Sequence, residues 1–153
     1  MEQKYIKYKK ALNKAMFLCS KSEKCKFDIQ KKLYDWKANP FEHEKIIEYL
    51  EKNKYIDEER YVKFYVNDKF KYNKWGKIKI KTMLFQKKIP EKLINGALNK
   101  INNENYLEML KNVIGKKEKS LQETNPYKLK AKLLQFASSR GFEPDIIMKI
   151  IEN

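Results

Sequence analysis

Lys74, Lys77, Lys81 and Lys88 lie at offsets of three, four and seven residues. Wound at 3.6 residues per turn they fall within about 60° of one another, so a helix over 73–88 carries a narrow cationic stripe. Ile80, Met83 and Leu84 form an apolar face beside it. Ile78 and Phe85 point roughly opposite to that face and are expected to pack on a second module or to sit at a partner surface. The chemistry open to such a stripe is phosphate binding, because ammonium groups displace the counterions of a polyanion without reading its sequence. Lysine is a flexible point charge and reads guanine poorly, so weak sequence specificity is expected. Trp75, at the start of the same segment, has two uses. It can plug a joint between helices or stack on a base or partner, and the core use is preferred for so large an aromatic. Gly76 in a first helical turn costs about 1 kcal/mol relative to alanine, which implies that a neighbouring helix or a partner backbone approaches closely there.

The whole chain supports this basic character. Its 153 residues carry a formal charge of +15, almost all of the positive charge is lysine, and Arg60 and Arg140 are the only arginines. Such an excess favours polyanionic partners, although it also serves solubility. Tyr61, Phe64, Tyr65 and Phe70 cluster just upstream of the stripe. Phe64 is read as a core residue, while the tyrosines remain divided between core positions and stacking platforms for single strands.

Other chemistries find little to work with. One histidine, His43, must serve every role in a Ser/His/Asp set, and Cys19 and Cys25 with one distant histidine do not make a zinc ligand set. The phosphate-loop and dinucleotide glycine signatures do not occur. No catalytic residue, metal site or cofactor is expected, and the protein is not read as an enzyme. No apolar run suits a signal peptide or a membrane-spanning helix, and lysines spread over the whole chain argue against a membrane-surface stripe. A soluble cytoplasmic protein with reduced thiols is expected.

The elements that position these residues read as helices. Apolar residues recur at three and four, and four glycines with four prolines are too few for a turn-rich β protein. Pro40, Pro90 and Pro144 each precede an apolar pair, at Ile46–Ile47, Leu93–Ile94 and Ile146–Ile147, so a unit of roughly fifty residues repeats. Two further helices precede each of these. Asp57 is a candidate N-cap for a helix over 58–72, Asn125 for one begun by Pro126, and Gly141 closes the latter as a C′ glycine. The chain is therefore expected to be all-α, built from three tandem three-helix repeats over 1–55, 56–101 and 102–153. Each is too small to bury its faces alone, and stacking is expected to give an elongated, curved array of unspecified hand.

Lys54–Leu98 closely resembles the RecX family of bacterial recombinase regulators. The resemblance rests on the acidic-Arg-aromatic run Asp57–Tyr61, the basic stretch leading to Trp75–Gly76, the Lys79–Ile80 segment, and a third helix led by Ile89 and ending at Ala97–Leu98. Ser139–Ile147 is similar to the Arg-Gly-Phe turn of the family's third module. The resemblance covers nearly the whole chain, and the middle motif is its most specific part. It departs at Lys88, where the family often has glycine, and at positions where arginines common in the family are lysines.

The resemblance implies tandem three-helix repeats and a non-enzymatic protein. It also implies a partner, the RecA recombinase filament on DNA, whose ATP hydrolysis and strand exchange such proteins usually inhibit. Contacts are expected at Lys69, Lys74, Trp75, Lys77, Lys79 and Lys81, with Arg60 serving either as a contact or as a tie between the capped helix and its neighbours. DNA would be met through its phosphates, and the protein is expected to be a monomer. The rival reading is a non-sequence-specific DNA- or RNA-binding helical repeat protein with no recombinase partner.

Overall fold

The structure is a computed structural model that describes residues 4–152, so the extreme ends of the first and third expected repeats lie outside the described residues. Nine helices and no strand occur among the described residues: α1 (Tyr8–Lys21), α2 (Lys26–Asp35), α3 (Pro40–Lys52), α4 (Glu58–Lys71), α5 (Lys77–Gln86), α6 (Glu91–Leu98), α7 (Asn103–Ser120), α8 (Pro126–Ser139) and α9 (Pro144–Glu152). The all-helical reading of the apolar period holds.

Local chemistry places the helix ends. Asp57 Oδ1 accepts from Arg60 N–H at 3.1 Å, and Asn125 Oδ1 accepts from the N–H groups of Tyr127 and Lys128 at 2.9 and 3.1 Å. These bonds satisfy amides that have no partner within the helix. Pro40 and Pro144 open α3 and α9, while Pro90 stands one residue ahead of α6.

The second helix of each repeat is followed by a residue in the left-handed conformation. Lys37, Lys88 and Gly141 follow α2, α5 and α8 with φ of 58°, 59° and 95°. Ala38 N–H reaches Leu33 O at 2.9 Å, and Phe142 N–H reaches Ala137 O at 3.2 Å, the paired-bond closure of a left-handed helix stop. Lysine thus occupies the glycine conformation at two of the three equivalent turns, and the departure noted at Lys88 alters the residue but not the backbone. Lys54, after α3, also adopts φ 63°.

The chain divides into two compact units. One runs to Phe64 and takes in Lys87–Ile89, and the other comprises Tyr65–Gln86 and the residues from Pro90 onward. In the first unit, Ala11 and Ala15 of α1 let Ile29, Leu33, Ile46 and Leu50 close over them, all fully buried. Each large aliphatic buried in this way contributes about 1.5–3 kcal/mol. His43 belongs to this core, only 3% exposed, with Nε2 donating to Ala38 O at 3.0 Å and Nδ1 accepting from Gln30 at 2.8 Å. Both ring nitrogens are therefore engaged in holding structure.

In the second unit Tyr106 of α7 is the hub. Its ring lies between Phe70 and Phe142, with centroids at 5.8 and 5.3 Å. Its hydroxyl donates to Glu143 and accepts from Lys77 N–H at 2.9 Å. Burial pushes its pKa well above the ordinary tyrosine value, and the Glu143 carboxylate reinforces the shift.

Candidate nucleic-acid and partner interface

The turn between α4 and α5 is fixed by its backbone against the turn between α8 and α9. Gly76 N–H donates to Arg140 O at 2.8 Å, and Ile78 N–H donates to Gly141 O at 2.9 Å. A Cβ on Gly76 would lie 2.4 Å from Gly141 C and O and from Phe142 N, so close backbone approach explains the glycine. Gly76 precedes the first helical residue, Lys77, instead of lying within the first turn, and at that position glycine is well tolerated.

This turn also alters the stripe. A single helix over 73–88 does not form: α5 begins at Lys77 and ends at Gln86. Lys74 sits in the turn with φ 58°, and Lys88 follows the helix with φ 59°. Lys77 and Lys81 remain one turn apart on α5, whereas Lys74 presents its charge from the loop. The lysine spacing fitted helical periodicity but carried no sign of the backbone stop ahead of Gly76.

Trp75 lies in the turn between α4 and α5. It is half-buried, its N–H donates to Lys69 O at 3.0 Å, and the ammonium groups of Lys69 and Lys79 lie 5.2 and 4.6 Å from its ring centroid. The ring therefore draws two cations to it through attraction to its π system. Lys77 is placed similarly, 4.7 Å over Tyr106. Lys81 is partly neutralised by Glu91 at 3.2 Å, and Lys69 by Asp68 at 3.8 Å.

Arg60 is engaged within the first unit. Its Nε donates to Glu23 Oε1 at 2.9 Å and its Nη2 to the carbonyl of Lys54 at 3.1 Å. It ties the start of α4 to the chain ahead of it, the second of the two uses foreseen for it. Within this unit Phe64 departs from expectation: it is 53% exposed, while Tyr61 and Val62 beside it are buried. Tyr65 and Phe70, in the second unit, are also buried, so these aromatics fill cores rather than offering stacking platforms.

Ile78 and Phe85 are exposed and line an open groove of about 330 Å³ with Lys81, Thr82 and Gln86. Sequence reasoning missed another group of cations. Arg140 Nη1 donates to Asn73 O at 3.3 Å, which sets the guanidinium beside Lys74. The Lys116 ammonium lies close enough to depress the Lys74 pKa below the ordinary lysine value, with a smaller effect from the Arg140 charge. These residues are far apart in sequence, and no periodicity links them.

Among the described residues no group of three or more His, Cys, Asp and Glu side chains is disposed to hold a metal, and no helix is long and apolar enough to cross a membrane.

Family models match two stretches of the chain: RecX, second three-helix domain, over residues 57–98, and RecX, third three-helix domain, over residues 104–151. The regulatory protein RecX of Clostridium acetobutylicum is 33% identical over 149 residues, covering 95% of this chain and 69% of that one. That of Clostridium tetani is 32% identical over 144 residues, covering 92% and 64%. That of Clostridium botulinum strain Eklund 17B is 33% identical over 110 residues, covering 71% and 51%, so the chain spans between half and about two thirds of its relatives' length. Two crystal structures share the fold at 22% identity. That of a regulatory protein RecX gives a TM-score of 0.86 over 100% of this chain and 83% of the other, and that of RecX from Lactobacillus salivarius gives 0.82 over 94% of each.

Proposed function

The chain belongs to the RecX family, and from that premise we propose that it binds filaments of the RecA recombinase on DNA and inhibits their ATP hydrolysis and strand exchange. The observation that carries this reading is the match along 95% of the chain to a relative named regulatory protein RecX. The protein acts in the cytoplasm as a non-catalytic monomer made of three-helix repeats over 1–55, 56–101 and 102–153.

The contact surface is proposed at the α4–α5 turn and the start of α5. Lys69, Lys79 and Trp75 form one cationic platform, Lys77 extends it over Tyr106, and Lys74 and Lys81 flank it. Its lysines meet DNA phosphates and acidic recombinase surfaces through long-range attraction. The apolar pair Ile78 and Phe85 adds a component that salt does not screen. Arg60, held by Glu23, is assigned a tie within its unit and no contact.

The test is an ATPase and strand-exchange assay with the recombinase of the same organism. Wild-type protein should inhibit both reactions. Reversing the charge of Lys74, Lys77 and Lys81 together should relieve inhibition while the far-ultraviolet dichroism stays helical. Unchanged inhibition by that folded variant removes the surface assignment, and no inhibition by the wild type removes the recombinase reading in favour of direct nucleic-acid binding.

A further inference from the structure

We propose that Lys74, Lys116 and Arg140 form a phosphate site that seats one phosphodiester of a polynucleotide strand, with Lys117 at its edge. This deepens the preceding reading and rests on its premise that nucleic acid is part of the target.

Three elements bring these cations together: the α4–α5 turn, the end of α7 and the end of α8. Arg140 is held from two sides, its carbonyl accepting from Gly76 N–H at 2.8 Å and its guanidinium donating to Asn73 O at 3.3 Å. Arg140 and Lys117 lie over the Phe136 ring at 5.1 and 4.7 Å, which brings the end of α7 beside the end of α8. Lys116, which precedes Lys117 on α7, is exposed, and its charge acts on Lys74.

The charge in this cluster is uncompensated. Arg60, Lys81, Lys87 and Lys132 each have a carboxylate within 4.0 Å, but among the described residues Lys74, Lys116, Lys117 and Arg140 have none. Ammonium groups brought close together repel unless an anion lies between them. A phosphodiester offers two acceptor oxygens for the two lysines, and the guanidinium fork supplies the directional donors that lysine lacks. Of the two arginines in the chain, Arg140 alone is without an acidic partner among the described residues.

The test is anisotropy of a fluorescent single-stranded oligonucleotide, titrated over a range of salt without recombinase. Lys74→Gln and Lys116→Gln should each reduce the slope of log K against log salt by about 0.7, the value for one lost contact to a single strand. Lys10→Gln, an exposed change on α1, should alter it less. Arg140→Lys keeps the charge and loses the fork, so it should weaken binding several-fold at nearly constant slope. Unchanged slopes for both glutamine variants, with native dichroism, overturn the site. A second arm adds inorganic phosphate at constant ionic strength. Weak competition supports a strand ligand, and displacement of oligonucleotide by sub-millimolar phosphate overturns it in favour of a free anion. Because recombinase is absent, oligonucleotide binding with these effects but without filament inhibition retains this site and removes the recombinase reading. Filament inhibition without oligonucleotide binding does the reverse.

Discussion

Gly76 and Gly141 meet backbone to backbone, with room for a side chain on neither: a Cβ on Gly76 would stand 2.4 Å from Gly141 C, and one on Gly141 would stand 2.3 Å from Lys79 Cβ. The contact fixes the turn that carries Lys74 and Trp75, so the position of the basic surface depends on it.

Gly76→Ala is accordingly expected to destabilise the protein by about 3 kcal/mol, since backbone atoms must move and the bond to Arg140 O is strained. Gly96→Ala and Gly115→Ala, within α6 and α7 with no atom within 4 Å of the added methyl, should instead stabilise by about 0.4–1 kcal/mol. Urea unfolding of the three variants checks the opposite signs.

Lysine in the left-handed conformation costs about 1–2 kcal/mol that glycine does not pay, partly offset by the cation's attraction to the helix C-terminus. Lys37→Gly and Lys88→Gly should therefore raise stability by about 1 kcal/mol each, seen as a higher urea midpoint at unchanged slope. Gly141, at the equivalent turn with φ 95°, is the internal precedent.

Asp28 links the start of α2 to Lys87, accepting from Lys87 Nζ and Cys25 N–H at 2.9 and 3.2 Å. Burial pushes its pKa up, but the Lys87 and Cys25 hydrogen bonds outweigh burial and hold it below the ordinary value of 3.8. Its folded pKa is depressed, so the stability it brings is present above the unfolded value and lost as pH falls through the folded one. Asp28→Asn should cost about 1–3 kcal/mol at neutral pH. The deficit should close as the pH drops below about 4, measured by thermal unfolding at a series of pH values.

Burial pushes the Cys19 and Cys25 thiols up to about 11. On the order of one thiol in a thousand is then ionised at pH 8, and the thiolate is the reactive form. Half-buried Cys19 should react slowly with an aromatic disulfide reagent, and fully buried Cys25 only on unfolding. Rapid labelling of both in native protein would contradict this.

Much of the fold was legible because its signals are local. Prolines at equivalent places and the caps at Asp57, Asn125 and Gly141 act within a few residues, so the sequence displays them directly. Phe64 was misread because its aromatic type says nothing about which side of α4 is covered, and its neighbours Tyr61 and Val62 took the buried positions. The lysine stripe was legible as charge but not as geometry, since the chain leaves α4 through a left-handed Lys74 before α5 begins. The partners of Arg60 and Arg140 lie 37 and 67 residues away. Such pairings follow from tertiary packing, which one sequence read by periodicity does not encode visibly.

Four lysines, Lys37, Lys54, Lys74 and Lys88, take a backbone conformation usually left to glycine. Each bend of the chain at these points is therefore also a source of positive potential. Changing one to relax the main chain removes a unit of attraction for polyanions, and neutralising one to weaken that attraction leaves the torsional strain behind. Joint geometry and electrostatic reach are set by the same atoms, and selection on either drags the other with it.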